Sequence, residues 1–304
     1  MDYYTHPTHR LQNRFLSVDY LAQAGPRLVR LLVAGSDQNL LAELPAMTQP
    51  TPYGDYHIIG GHRLWHSPEA MPRSYLPDNE GVLVENLPGG TLPGGTLPGG
   101  SVRLTQPVEP GSGMQKVMQL NLAPDAPVLT IQHSLTNAGL WPVECAPWAI
   151  TQLRLGGLAI IPQQVGVPAA QLLPDRRMTI WNYTRMQDPR LHLGDDFILL
   201  EAASRLPPCK IGVSNPQGWV AYLLGEVLFV KRFTPQPDLP HPDSGCDTEV
   251  YCNNEFIELE TLGVLQVMQP GQTVSHTETW QVYTGVKFPP TLDGVRSMVK
   301  ALGL

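Results

Sequence analysis

Short runs of β-forming residues recur along the chain, and prolines and glycines separate them. The runs 27–33, 115–122, 128–136, 219–224, 227–233, 256–262 and 273–283 alternate apolar with polar residues or stay apolar throughout. This pattern is typical of β-strands, and the 28 glycines and 31 prolines favour turns between them. The sequence therefore predicts an all-β fold built from many short strands.

One hairpin and one helix can be placed within this pattern. Leu224-Gly225-Glu226 lies between two of the runs, and glycine reaches the positive φ that a tight hairpin turn needs. Near the C-terminus, Asp293 is a candidate N-cap for a short helix over 294–301. Because no sharp change in composition divides the chain, residues 1–304 are predicted to form one domain.

Charge and cysteine content narrow the classes of protein to consider. A net charge of −7 without a basic cluster argues against a nucleic-acid partner, whose phosphates need Lys and Arg. The chain has no apolar run long enough for a membrane span and no stretch typical of a signal peptide, so we expect a cytoplasmic protein without a membrane partner. Cys145, Cys209, Cys246 and Cys252 lack zinc-site spacing and are too few for a disulfide scaffold. We expect reduced thiols and neither a metal nor a cofactor.

The chain contains one internal repeat. The unit Leu87-Pro88-Gly89-Gly90-Thr91 is copied at 92–96 and again, ending in serine, at 97–101. It is too short for a solenoid repeat, and its Pro-Gly-Gly content disfavours helix and strand pairing. The repeat is predicted to be a surface loop or hairpin tip outside the core, with a functional lid as the alternative.

Two glutamates in the run 256–262 are candidate acid–base groups. Strand alternation places Glu258 and Glu260 on one face, beside Phe256 and Leu262. Desolvation and mutual repulsion among apolar neighbours would raise a carboxylate pKa toward neutrality, which suits proton transfer. Periodicity alone favours the alternative, in which both glutamates keep an outer sheet face soluble.

The segment 60–69 combines two imidazoles, a guanidinium, an indole and a carboxylate. In a strand, His62 and His66 face one way, whereas Arg63 and Trp65 face the other. An aromatic ring that stacks on a sugar's C–H face, with Arg and His donors for its hydroxyls, suits a carbohydrate pocket. The alternative is that Trp65 belongs to the core and the histidines are hydrogen-bonded at a strand end. A metal bound by His62 and His66 would need a third ligand that the spacing does not indicate.

Two further polar groups are less specific. Lys231 and Arg232 follow the apolar run 227–230, so one of them could anchor the glutamate pair, or both could be solvated at a strand end. A second cluster lies in a proline-containing loop, with calcium binding as a minor alternative, and comprises His241, Asp243, Asp247 and Glu249.

Several short motifs together resemble one known superfamily. They are Gly25-Pro26-Arg27-Leu28, Asn39-Leu40-Leu41-Ala42-Glu43, the segment 60–69, Asn137-Ala138-Gly139, Trp148-Ala149-Ile150-Thr151, Leu259-Glu260-Thr261 and Pro270-Gly271-Gln272. Spread over almost the whole chain, they are similar to the galactose mutarotase-like superfamily, in an aldose 1-epimerase-like branch. The resemblance implies a large antiparallel β-sandwich of two curved sheets, with a sugar bound on a concave face.

The resemblance also implies roles for particular residues. Glu260, in the Leu-Glu-Thr context, matches the base that takes the anomeric proton. The family's histidine acid is missing from the segment 148–151, and Leu262 replaces the glutamine that follows the motif. His62 or His66 is then the available acid, with Glu258 as the second catalytic carboxylate. The residues expected to bind the substrate are Arg63, Trp65, Glu69, Trp148, Thr151 and Lys231.

Three functions remain open on the sequence alone. A mutarotase-type isomerase would act on a small sugar or glycan; a carbohydrate-binding module would keep the groove without turnover; a glycosidase or lyase would use Glu258 and Glu260 differently. Fold resemblance does not choose between them.

Overall fold

The computed structural model describes residues 2–87, 91–92, 95–96, 100–166 and 174–304. Most of the repeat at 87–101 lies outside these residues, so its predicted position beyond the core stays a prediction. In chain order the strands are β1 (Asp2–Tyr3), β2 (His6–Gln12), β3 (Leu16–Leu21), β4 (Arg27–Val33), β5 (Glu43–Thr51), β6 (Gly54–Gly60), β7 (His62–Ser67), β8 (Leu83–Asn86), β9 (Thr91–Leu92), β10 (Gly95–Thr96), β11 (Gly100–Thr105), β12 (Met114–Leu122), β13 (Val128–Asn137), β14 (Val143–Arg154), β15 (Leu158–Pro162), β16 (Met178–Ile180), β17 (Leu191–Leu193), β18 (Phe197–Glu201), β19 (Cys209–Val213), β20 (Trp219–Leu224), β21 (Val227–Phe233), β22 (Thr248–Cys252), β23 (Phe256–Leu262), β24 (Gln266–Met268) and β25 (Thr273–Thr284).

Antiparallel pairing organises these strands into two large sheets. The first sheet has the order β1-β2-β3-β4-β7-β14-β23-β22-β19-β16, with β24 paired to β14. The second has the order β17-β18-β15-β20-β21-β25-β13-β12-β11-β8. Small ribbons are formed by β5 with β6 and by β9 with β10. The predicted all-β sandwich is therefore confirmed.

The main core lies between the two sheets. Leu64 and Ile257 from the first sheet belong to the same buried cluster as Ile131 and Trp280 from the second. Each is at most 2% exposed. Alternation directs one set of side chains from each strand into this space, and burial of their apolar surface is the main stabilising term.

The outer faces of the two sheets differ in their exposure to solvent. In β25 buried residues alternate with more exposed ones, as expected for a sheet with one solvated face. In β7 and β23 every residue is buried, so both faces of the first sheet are covered at its centre. Periodicity alone favours a solvated face for Glu258 and Glu260. That expectation is wrong, because this second face carries its own apolar cluster.

The predicted hairpin and C-terminal helix are both present. Gly225 has φ +60° in the two-residue connection between β20 and β21. The helix α1 (Leu292–Leu302) begins after Thr291, whose Oγ1 accepts a hydrogen bond from the Gly294 N–H at 3.2 Å. The predicted cap at Asp293 is wrong, because that residue is already inside the first turn. A short 3-10 turn occurs at Arg73–Tyr75, and Pro242–Gly245 forms a single turn in which Asp243 and Ser244 have positive φ.

The four cysteines are free thiols, as expected from the sequence, and all four are buried. Among the described residues, no helix has both the length and the apolar character needed to cross a membrane.

Candidate active site

The centre of the first sheet presents a cleft on the face turned away from the second sheet, called here the open face. Antiparallel register aligns Arg63 of β7 with Ile150 of β14, and Ile150 with Glu260 of β23. Paired residues in a sheet project to the same side, so these side chains share the open face. The same register brings Trp65 and Trp148 together, with ring centroids 5.4 Å apart.

A pocket of about 290 Å³ lies on the open face. Its aromatic lining consists of Trp65, Tyr75, Trp148, Tyr183, Tyr251 and Phe256. Its charged and amide lining consists of Arg63, Glu69, Gln152, Lys210 and Glu258. Aromatic walls around a few convergent polar groups are typical of small-molecule sites.

Glu258 is the carboxylate at the floor of this pocket. Its Oε1 accepts hydrogen bonds from Gln152 Nε2 at 2.9 Å and Arg63 Nη2 at 3.2 Å. Among the described residues, both hydrogen-bond donors to this carboxylate contact Oε1. Oε2 is therefore the oxygen that can contact a ligand in the pocket. Burial, and secondly the neighbouring Glu260 carboxylate, raise the pKa of Glu258 to about 7, although Arg63 opposes the shift.

Glu260 lies beneath the pocket wall and is fully buried. Its Oε2 accepts hydrogen bonds from Trp148 Nε1 at 2.7 Å and from Lys210 Nζ at 3.0 Å. Among the described residues, Oε1 has no hydrogen-bond donor. The geometry gives Glu260 a positioning role, because it fixes one aromatic wall and one cation of the pocket.

Lys210 of β19 joins two buried carboxylates. Its Nζ lies 2.8 Å from Glu249 Oε2 and 3.0 Å from Glu260 Oε2, and it also lies 4.8 Å from the centroid of the Trp148 ring. Burial alone would lower the pKa of Lys210, but the two carboxylates outweigh it and raise that pKa well above its ordinary value. Burial raises the pKa of Glu249, against the opposing effect of Lys210.

No family model matches the chain, and no curated protein matches it. Solved structures match it well in shape at low sequence identity. A galactose mutarotase-like protein from Lactobacillus casei superposes with a TM-score of 0.56 at 10% identity over 91% of this chain and 100% of the other. The chain has the galactose mutarotase-like fold.

Two further structures show the same fold. A Klebsiella pneumoniae protein to which aldose 1-epimerase activity is provisionally ascribed gives a TM-score of 0.59 at 10% identity, covering 95% of this chain and 80% of the other. A TPR-domain containing protein from Parabacteroides distasonis gives 0.65 at 12% identity over 93% of this chain. The chain spans 48% of the length of that protein.

Within the mutarotase-like fold, Arg63, Trp65, Trp148 and Glu258 do converge on one pocket, as expected from the sequence. Glu69 lies exposed at the pocket edge, where its carboxylate accepts a hydrogen bond from the Tyr75 hydroxyl. The sequence did not point to Lys210, and it placed Glu249 in an unrelated loop cluster.

His62 and His66 do not face the pocket, so the expectation of one shared site is wrong for both. Each is 0% exposed. His62 Nε2 lies 2.8 Å from His133 Nε2 of the second sheet, and His62 Nδ1 lies 2.9 Å from Thr151 Oγ1. Since β7 carries Arg63 and Trp65 on the open face, alternation sends both histidines between the sheets.

Thr151 and Lys231, two expected substrate contacts, also lie between the sheets. Lys231 Nζ is 2.7 Å from Glu278 Oε1 and donates to the backbone oxygen of Leu259 at 2.9 Å. Lys231 belongs to β21 of the second sheet, so it reaches β23 from the side opposite to Glu258 and Glu260. On the open face, Arg63 pairs with Glu258 and Lys210 pairs with Glu260.

A buried polar network therefore occupies the space behind the pocket. Thr261 Oγ1 donates to Glu278 and lies 2.7 Å from His276 Nε2, and Trp280 Nε1 donates to Glu278 at 2.9 Å. His133 and Glu278 together with His62 form a set of metal-ligating atoms within 4.8 Å of one another. The Lys231 ammonium lies 2.7 Å from Glu278 Oε1, so this carboxylate already has a cation from the chain itself.

Proposed function

We propose that the open-face pocket binds an aldose and exchanges its anomers, as an enzyme of aldose 1-epimerase type with Glu258 as the base. The fold supports a sugar-modifying role only in general terms, so the argument rests on the pocket itself. Glu258 faces the cavity, whereas Glu260 is fully buried behind it. The role of base, which the sequence analysis expected for Glu260, is therefore proposed for Glu258.

The observation that carries this proposal is a set of unmet hydrogen-bonding atoms in the pocket floor. Arg63 Nε and Nη1 have no acceptor, and Gln152 Oε1 has no donor, among the described residues. Buried polar atoms without partners cost about 1–3 kcal/mol each. These three atoms are shielded from solvent, so a ligand gains affinity from them once the Arg63 and Gln152 side chains, which line the pocket, turn toward it. A sugar hydroxyl both donates and accepts, which suits a floor that offers donors beside acceptors.

The pocket walls support the same class of ligand. Trp65 and Trp148 meet edge to face, with an interplanar angle of 74°, and Tyr75 packs against Trp65 at 4.8 Å between centroids. Aromatic rings held in this way present rigid apolar surface beside polar groups, which complements the C–H faces of a pyranose ring.

The proposed reaction moves two protons and leaves the enzyme unchanged. Glu258 Oε2 takes the proton of the anomeric hydroxyl while the ring oxygen receives a proton from Lys210 Nζ, so the C1–O5 bond breaks and an aldehyde forms. Rotation about C1–C2 presents the other carbonyl face. Attack by the C5 hydroxyl then returns one proton to Lys210, and the new anomeric oxygen recovers the other from Glu258. The free N–H groups of Arg63 stabilise charge on the reacting oxygens.

A sugar-binding protein without turnover is the second candidate, and one observation favours it. No histidine lines the pocket within the described part of the chain. Lys210, the proton donor proposed in its place, has a raised pKa, which weakens it as an acid. A glycosidase or lyase that uses both glutamates is less favoured, because Glu260 has no access to a ligand in the pocket.

Binding and anomer exchange measured on the same samples distinguish the two candidates. Aldoses are titrated into the wild-type protein while tryptophan fluorescence is recorded, since Trp65 and Trp148 line the pocket. Exchange between α and β anomers is then followed by NMR. We expect both saturable binding and exchange faster than in buffer. Binding without faster exchange would favour the sugar-binding protein, and absence of binding would defeat both candidates.

A further inference from the structure

Carboxylates outnumber cations around the pocket. In and directly beneath it lie the carboxylates of Glu69, Glu249, Glu258 and Glu260, and the cations of Arg63 and Lys210. Glu249, Glu258 and Glu260 are at most 9% exposed, so solvent screens them weakly. When these carboxylates are ionised, a ligand that enters this pocket meets an excess of negative charge.

Both cations are already paired with carboxylates, so their charge is largely balanced before a ligand enters. Lys210 lies within 3.0 Å of two buried carboxylates. Arg63 contacts Glu258, and its guanidinium lies 4.5 Å from the centroid of the Trp65 ring. A phosphate or carboxylate on the ligand would lose its hydration, and the charges of Arg63 and Lys210 that it meets are already offset by buried carboxylates.

On the basis of the proposed function, we propose that the preferred ligand is an aldose with a protonated amino group, and specifically a 2-amino-2-deoxyaldose. Glu258 is the residue expected to contact the ammonium group, because its Oε1 accepts a hydrogen bond from Gln152 on one side and its Oε2 is open. Register places Tyr251 beside Glu258 on the other side, and Tyr183 packs edge to face on Tyr251, with centroids 6.3 Å apart.

An ammonium group on C2 fits this arrangement. C2 adjoins the anomeric carbon, so the carboxylate that takes the anomeric proton also lies within reach of the ammonium. A charge-assisted hydrogen bond in a water-poor pocket is stronger than the bond that a neutral hydroxyl makes to the same oxygen. The rings of Tyr251 and Tyr183 add the attraction of aromatic surfaces for a cation.

Three ligands that differ at one position test this inference without altering the protein. Glucosamine, glucose and N-acetylglucosamine are titrated calorimetrically into the wild-type protein at about pH 7 and low salt. At this pH most of the amine is charged, and about half of the Glu258 carboxyl, whose pKa burial and Glu260 raise to about 7, is ionised before the ligand binds. We expect glucosamine to bind at least about 10-fold tighter than both neutral sugars. Glucose 6-phosphate should bind more weakly than glucose.

The variants Glu258→Gln and Glu226→Gln provide the matched comparison, since Glu226 lies on the surface in an exposed pair with Lys287. Glu258→Gln should reduce the ratio of glucosamine to glucose affinity to about 1, and Glu226→Gln should leave it unchanged. Added salt should weaken glucosamine binding and spare glucose binding, which gives a readout independent of any variant.

The outcomes separate this inference from the proposed function. If glucose binds as tightly as glucosamine, or if glucose 6-phosphate binds tightest, the amino-sugar preference is overturned while aldose binding stands. If none of the four sugars binds and none exchanges anomers faster than in buffer, the proposed function and this inference both fail.

Discussion

Lys210 and its two carboxylates illustrate how single residues hold the site together. The ammonium lies 2.8 Å from Glu249 and 3.0 Å from Glu260, and all three side chains are at most 5% exposed. Removing one member of a buried ion cluster leaves uncompensated charge, which costs more than the contact itself contributes. Lys210 is therefore central to the stability of the first sheet as well as to the pocket.

Lys210→Met should lower the free energy of unfolding by about 3–5 kcal/mol, because Glu249 and Glu260 lose their shared cation. Urea unfolding followed by far-UV circular dichroism measures the change. Lys287→Met is the matched control, since its pair with Glu226 is 72% and 57% exposed and should be worth less than about 1 kcal/mol. Equal stability of the two variants would contradict the assignment of a buried cluster.

At the scale of strands, the network between the sheets ties β21 and β25 of the second sheet to β7, β14 and β23 of the first. Lys231 donates to backbone oxygens of Ala149 and Leu259 while it pairs with Glu278. These contacts hold the inner side of the strands that bear the pocket on their open face. The network thus acts on the site by positioning its strands.

Lys231→Met should destabilise the fold more than the double variant Lys231→Met/Glu278→Gln. The single change leaves the Glu278 carboxylate buried without its cation, whereas the second change removes that charge. A difference of at least about 1 kcal/mol in unfolding free energy is expected between the two proteins. A double variant less stable than the single variant would argue that Glu278 is held by its other hydrogen bonds.

The histidines of this network predict a loss of stability in acid. Burial lowers the pKa of His133 to about 4 and that of His276 to about 3, so the folded state keeps both neutral. The unfolded chain protonates them below about pH 6.5. The contribution of these two histidines to stability is therefore fully present above that pH and falls as the pH decreases toward 4, by about 1.4 kcal/mol per unit for each histidine.

Unfolding measured in urea between about pH 7 and 4 tests this dependence. Burial and Glu260 give Glu258 the opposite effect, because its raised pKa costs stability as the pH rises toward 7. His133→Gln should reduce the acid slope by about one proton, whereas substitution of the exposed His192 should not. An unchanged slope in the His133 variant would mean that other groups cause the acid loss.

At the scale of the whole molecule, the sequence predicts the architecture better than the site. The runs 27–33, 219–224, 227–233 and 256–262 correspond to observed strands, because their alternation and bounding glycines and prolines are local signals. Alternation also separated His62 and His66 from Arg63 and Trp65 correctly. It did not reveal which of these sets faces the pocket, since both faces of β7 are buried.

The remaining site residues depend on long-range register. Lys210 and Glu249 lie on β19 and β22, and they meet Glu260 only because β22 pairs with both β19 and β23. Nothing in the sequence near Lys210 marks it as a partner of a residue 50 positions away. The sequence likewise does not show that Trp148, on a neighbouring strand, covers Glu260 while Glu258 lines the pocket.

The measurement that tests this account most directly is the pH dependence of anomer exchange by the wild-type protein and by Glu258→Gln. Since burial and Glu260 raise the pKa of Glu258 to about 7, kcat/KM should rise about tenfold per unit below pH 7 and level off above it. Glu258→Gln should lower the rate by roughly 100-fold or more and remove the inflection. An exchange rate that is independent of pH through 7, or that survives in Glu258→Gln, would contradict the account.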